Sequence, residues 1–335
     1  MKNNINLTIF KGFIYRVCQF INNLIITAIN SKTIMSTSRR SFIQNSALLL
    51  AGTALLSKTA FAAAKPSEIV GLQLYSVRDD MTKDPKGTLA QLAKMGYKHV
   101  EHANYVDRKF YGFTPREFKK VLDDLGLKMP SGHTVMDKNH WDAGKKDFTD
   151  AWKYTVEDAA YMGQQYVISP WIDESMRKTY DDMVRSLDVF NLSGDLCQKS
   201  GMKFGYHNHW AEFTEQLNGM KLFDIMMQKL DVNKVVMQLD IGNMYIGGAK
   251  ALDVIGKYPG KFELIHVKDE IASTNEEKFE SAILGKGVIP VKEVLDLCRK
   301  SGGTKVFIIE QESYQNRSPL ESVKEDLAVM KQWGY

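Results

Sequence analysis

"IVGLQLYSVRDDM", residues 69–81, is the stretch that decides between two folds. It opens with β-branched and apolar residues, as a buried strand does. An open, doubly wound sheet would place a glycine-rich turn after this first strand. Here "LYSVRDDM" (74–81) follows, and it contains no glycine. Seven more strand-like runs succeed it: "HVEHAN" (99–104), "KMPSGHTV" (128–135), "QYVISPW" (165–171), "KFGYHNHW" (203–210), "VVMQLDIGN" (235–243), "FELIHVKD" (262–269) and "KVFIIEQE" (305–312). Amphipathic segments such as "TPREFKKVLDDLG" (114–126) separate them, and Gly96, Gly126, Gly163 and Gly201 stand where helices should end. Eight β-then-α units within residues 66–335 match the ~250 residues typical of a (β/α)8 barrel. No linker, low-complexity tract or repeat divides them, so a single domain is expected.

In such a barrel, chemistry collects at the C-terminal ends of the strands. Here those ends are rich in metal-ligand types: Glu101 and His102; His133; Trp171; His207, His209 and Glu212; Asp240 and Asn243; His266, Lys268 and Asp269; Glu310 and Glu312. One histidine at a barrel rim is usually just a hydrogen-bonded polar residue. Asp240 alone could be a turn-former, and Glu310 half of a salt bridge. Several carboxylates and imidazoles buried at one rim are costly unless a cation or a substrate pairs them.

The first 64 residues hold seven basic side chains and no acidic one. Removing those seven from the total of 44 leaves 37 basic against 40 acidic, a formal −3. That charge gives no electrostatic reason to expect nucleic acid as a partner. Within 36–65, Arg39-Arg40 precedes an apolar run from Ala47 to Leu56 and the small residues Ala60–Ala64. This pattern resembles a twin-arginine export signal, which implies the twin-arginine machinery during secretion and a periplasmic address. The apolar run falls short of the about 20 residues that span a bilayer, so no stable membrane anchor is expected. Residues 1–64 thus read as a leader, with Met35 as its start and 1–34 as an over-extended frame. Cys18, Cys197 and Cys298 form no CxxC, and the latter two read as half-buried free thiols.

The motifs "YHNH" (206–209), "LDIGN" (239–243), "HVKD" (266–269), "GKGVI" (285–289) and "IIEQE" (308–312) occur in this order. Together they resemble the xylose-isomerase-like TIM-barrel superfamily, and within it the exported sugar phosphate isomerase/epimerase-like group. The resemblance covers about residues 68–333. It implies one divalent metal ion (Mn, Co, Zn or Mg) held by His207, Asp240, His266 and Glu310. Many members carry Glu where this chain has His207, and His where it has Asn243. With His207 in place, the two-glutamate machinery of the ketose 3-epimerases is incomplete.

The resemblance implies a metal-dependent sugar isomerase or epimerase that removes a proton next to a carbonyl and stabilises the enediolate. The alternative with the same apparatus is a 3-keto-glycoside lyase or hydratase working by β-elimination. A non-catalytic periplasmic sugar binder is the third reading. His209, Glu101 and Glu310 are candidate bases. Lys268 would steady a developing oxyanion, and His133, Trp171 and Asn243 would hold a small carbohydrate. The loops after strands seven and eight offer Gly285-Lys286-Gly287 but no dense basic cluster, so they make no case for a phosphate on the substrate.

Overall fold

The computed structural model describes residues 68–335. The leader reading for 1–64 lies outside the described residues. Eight parallel strands close into a barrel: β1 (Ile69–Gln73), β2 (His99–His102), β3 (Lys128–His133), β4 (Tyr166–Ser169), β5 (Lys203–His207), β6 (Val235–Asp240), β7 (Leu264–Val267) and β8 (Val306–Ile309). Each pairs with its neighbours in chain order, and β1 closes the ring against β8 through Leu72 and Ile309. All eight fall inside the runs read from the sequence, which overestimated their C-terminal ends. After β1 the chain turns into a 3-10 helix (Leu74–Val77), and after β6 into the helix Ile241–Ile246.

Local signals explain the helices between strands. Thr114 and Ser318 each open a helix with a capping box closed by a glutamate three residues on, with proline at the first helical position. Gly96 and Gly163 take left-handed φ values of 109° and 79° and end theirs. Cys197 and Cys298 are buried free thiols. Among the described residues, no helix is long and apolar enough to cross a membrane.

The strand period of two sorts the barrel interior. Tyr166, Ile168, Val236, Leu264, Val306 and Ile308 form an apolar cluster of their own inside the barrel. Two residues further along the same faces, the chain switches to polar types: Gln238 and Asp240 after Val236, His266 after Leu264, Glu310 after Ile308. The lower interior is therefore a packed apolar plug and the upper interior a polar layer. Register aligns that layer, since Gln238 pairs with His207 and Asp240 with His266.

Gly205 sits one step below His207 on the same face. A Cβ there would come within 2.5 Å of Ile168 Cδ1, 2.9 Å of Val236 Cγ2 and 3.1 Å of the Val236 carbonyl. Gly205→Ala should therefore cost about 1–3 kcal/mol through overpacking. Urea unfolding would read this as a lower midpoint with an unchanged slope; an unchanged midpoint would mean that the plug is loosely packed.

Candidate metal centre

His207, Asp240, His266 and Glu310 each point one donor atom to a common place, with all four atoms within 4.8 Å of one another. All four residues are buried. Asp240 Oδ2 has no hydrogen-bond partner, while it lies 3.9 Å from His207 Nε2 and 3.8 Å from His266 Nδ1. Its other oxygen accepts the Asn243 N–H at 2.6 Å, so the start of the helix after β6 fixes its rotamer. Burial, reinforced by Glu310 and opposed by Lys268, pushes Asp240 up to about 7. A cation at the shared point would satisfy the orphaned oxygen and hold the carboxylate ionised.

The layer beneath sets which ring nitrogens face that point. Gln238 Nε2 donates to Glu101 Oε2 at 2.8 Å, which orients the amide. Gln238 Oε1 then lies 3.1 Å from His207 Nδ1 and 2.7 Å from His133 Nε2, so both nitrogens donate to it. His207 is left with Nε2 free as a ligand atom. His266 Nε2 donates to Glu101 Oε1 at 2.6 Å, and its Nδ1 faces Asp240 and Glu310. Both histidines thus have an outer partner on the nitrogen away from the centre, as metal-ligating histidines do. Burial lowers His207 far below its usual range, with neighbouring histidines adding to the effect. Burial would also lower His266, but Glu310 and Glu101 outweigh it and raise the ring to about 10. Burial would raise Glu310; His266 and Lys268 hold it below the usual carboxylate range instead. Two imidazoles with two carboxylates make a donor set that suits a divalent ion.

His133, His207 and His266 form a second group of converging donors. His133 Nε2, however, is taken by Gln238 and lies 3.1 Å from Glu101 Oε1. Its ring stacks on His266 at 5.1 Å, so its place is beside the centre rather than in it.

Glu101 does not stand where a base would. The expectation made it a candidate base, but it is fully buried and does not line the cavity. Its oxygens are taken by Gln73, Ser131, Gln238, His133 and His266. It stands under the centre and orients the ligands. Gln73, Ser131 and Gln238 belong to this layer and were not singled out from the sequence. Their signal is a polar residue in an otherwise apolar strand, on the inward face. Asp269 also differs from its strand-end reading. It accepts four backbone N–H groups, from Glu270, Gly285, Gly287 and Ile289, and so organises the "GKGVI" loop.

A cavity of about 1090 Å³ opens above the centre. His207, Glu310, Lys268, Asn243, His209, His133 and Trp171 all line it. The Lys268 ammonium pairs with Glu312 and lies 3.9 Å from Glu310 Oε2. Of the four histidines on the wall, His209 alone has no side-chain hydrogen-bond partner among the described residues. Its backbone N–H donates to Glu212 Oε2 at 2.8 Å, and Trp171 meets its ring edge-on at 5.6 Å. Burial lowers His209 below the usual imidazole range, with Glu212 opposing the shift. Glu212 is buried and also accepts the Tyr206 hydroxyl, which places it behind His209 rather than at the centre. The opposite half of the cavity comes from the segments after β1 to β3. There Tyr75, Val106, Val135 and Tyr154 remain exposed, as do Trp171 and Trp210 nearer the centre.

Glu101→Gln should weaken binding of a divalent ion by about 10–100-fold, although Glu101 is not a ligand, because His266 loses its charged partner. Competition against a chromophoric chelator measures it. Wild-type affinity in the variant would remove Glu101 from the support of the centre.

The inosose dehydratase of Geobacillus kaustophilus (strain HTA426) is 23% identical over 255 residues, 69% of this chain and 78% of that protein. That of Geobacillus thermodenitrificans (strain NG80-2) is 28% identical over 160 residues, 43% of this chain, and the match spans about half of its length, 52%. A solved sugar phosphate isomerase/epimerase from Parabacteroides distasonis ATCC 8503 superposes with a TM-score of 0.68 at 24% identity, covering 81% of this chain and 96% of that one. The IOLI protein with a binding zinc atom superposes at 0.62 and 14% identity, covering 79% and 97%. These two structures share the fold. The model of the xylose isomerase-like TIM barrel family matches residues 89–333, most of the chain, and the protein belongs to that family.

Proposed function

We propose that the protein is a metal-dependent carbon–oxygen lyase that removes a group β to the carbonyl of a keto-sugar. His207, Asp240, His266 and Glu310 would hold the divalent ion. When bound, that ion would polarise the substrate carbonyl and acidify the adjacent C–H. An imidazole nitrogen of His209 takes the proton. The Lys268 ammonium, held by Glu312, steadies the negative charge that develops on oxygen. Trp171 offers a face to the sugar ring, and Asn243 and His133 offer polar contacts.

One observation carries the choice of elimination: His209 is the one unpartnered imidazole on the described cavity wall. Epimerisation through two metal-held carboxylates needs a base on each face of the substrate. Strand β5 presents His207 instead, with its Nδ1 committed to Gln238. The similarity to inosose dehydratases supports elimination as well. The isomerase or epimerase reading shares the first proton transfer and stands second. The exposed tyrosines and valines of the half of the cavity away from the centre favour a sugar that carries a further group, such as a 3-keto-glycoside. The periplasm is the proposed address, on the strength of Arg39-Arg40 and the apolar run that follows.

The test is incubation of metal-loaded protein with a 3-keto-glucoside and a panel of ketoses in D₂O. Elimination with release of the β-substituent is expected, and His209→Ala should slow it by about 10²–10⁴-fold while keeping the metal. Deuterium entering a ketose together with its epimer, without elimination, would promote the isomerase reading. Full activity of His209→Ala would end its assignment as base.

A further inference from the structure

Glu270 is a buried carboxyl on the cavity lining that this scheme leaves unused. It is the second residue of the hairpin strand Asp269–Ala272, which follows β7 and pairs with Phe279–Ala282. Its backbone is held on both sides: its N–H donates to Asp269 Oδ1 at 2.9 Å, and its carbonyl accepts the Val288 N–H at 2.8 Å. The residue is on the cavity lining yet only 1% exposed, and neither carboxyl oxygen has a hydrogen-bond partner. Two unmet buried acceptors on a rigid support are unusual, and they call for a partner from outside the chain.

Gly242, in the helix after β6, makes the room. A Cβ there would stand 2.7 Å from Glu270 Oε1 and 2.7 Å from Lys268 Cγ. The charged groups around Glu270 come from several elements: Lys268 from the end of β7, Asp240 from β6, Glu312 from beyond β8 and Glu277 from the hairpin turn. Burial, with the three carboxylates and against Lys268, raises Glu270 to about 8. Burial with no partner on either oxygen favours the neutral carboxyl over the carboxylate. His209 lies on the segment after β5, so the helix that starts at Ile241 stands between the two in the order of the barrel mouth.

We propose that Glu270 is a further catalytic residue, which binds the leaving oxygen of the substrate and hands it the proton with which it departs. This rests on the lyase reading. His209 takes the C–H proton, and the pair of electrons from that bond forms the new C=C bond. The C–O bond breaks with its pair on oxygen, and the Glu270 carboxyl proton joins that oxygen. The group leaves as water or a neutral alcohol. The site is left with imidazolium and carboxylate, which exchange one proton through solvent to reset.

The test uses Glu270→Gln in the metal-loaded enzyme, with methyl and 4-nitrophenyl 3-keto-glucosides. Methoxide leaves only with a proton, whereas 4-nitrophenolate leaves without one. Elimination from the methyl compound should fall by about 100-fold or more, within the usual range for a general acid. Elimination from the 4-nitrophenyl compound should fall by less than about 5-fold, and exchange of the substrate C–H with D₂O should persist. Glu270→Asp, which keeps an acid, should restore part of the methyl rate and serves also if the glutamine variant folds poorly. Equal losses on both substrates, or no loss on either, would overturn the assignment. A wild-type enzyme that eliminates from neither substrate would overturn the lyase reading, and this proposal with it.

Discussion

Asp240 Oδ2 is buried in the upper barrel with two imidazoles and a carboxylate around it and no hydrogen-bond donor of its own. An isolated charge in such a place is costly, and the usual escapes are protonation or a cation. The push of Asp240 toward about 7 is the first escape. The convergence of three further ligand atoms provides for the second. Much of the upper barrel follows from serving this one site.

Support comes from below and from the sides. Glu101, Gln238, Gln73 and Ser131 form a closed hydrogen-bonded layer that presents His207 and His266 with the correct nitrogen inward. The same layer rests on the apolar plug that starts with Ile168, Val236 and Leu264. A rigid floor under a polar layer lets the cavity wall be sparsely bonded. His209 and Glu270 carry unpartnered side-chain atoms, while Glu101 and Gln238 beneath the centre have a partner on every side-chain oxygen and nitrogen. Bonding below and openness above leave fixed donor atoms under an open cavity wall.

The sequence made the barrel legible because parallel strands buried on both faces read as apolar runs and each helix is punctuated by glycine or a cap. The four converging donors were legible because they sit at strand ends in the order of a known family. Other features were not. Glu101 looks like a reactive strand-end carboxylate in "HVEHAN", and only its five partners show that it is a support. Gln238 was passed over because one polar residue in "VVMQLD" resembles ordinary strand sequence; the inward parity it shares with Asp240 was the available clue. Glu270 was hidden because "FELIHVKD" reads as a strand that stops, whereas the chain goes on into a hairpin that folds back over the cavity. Hairpin placement depends on tertiary contacts, here the grip of Asp269 on the loop 285–289, which no local pattern announces.

The central claim is that the four strand-end donors form one metal centre. Elemental analysis of the protein purified without added metal, repeated after equilibration with Mn, Co and Zn, tests it most directly, with Asp240→Ala as the comparison. The account predicts close to one equivalent of a divalent ion in the wild type and loss of tight binding in the variant. No tightly bound ion in the wild type under any of these conditions, or equal retention by Asp240→Ala, would contradict it.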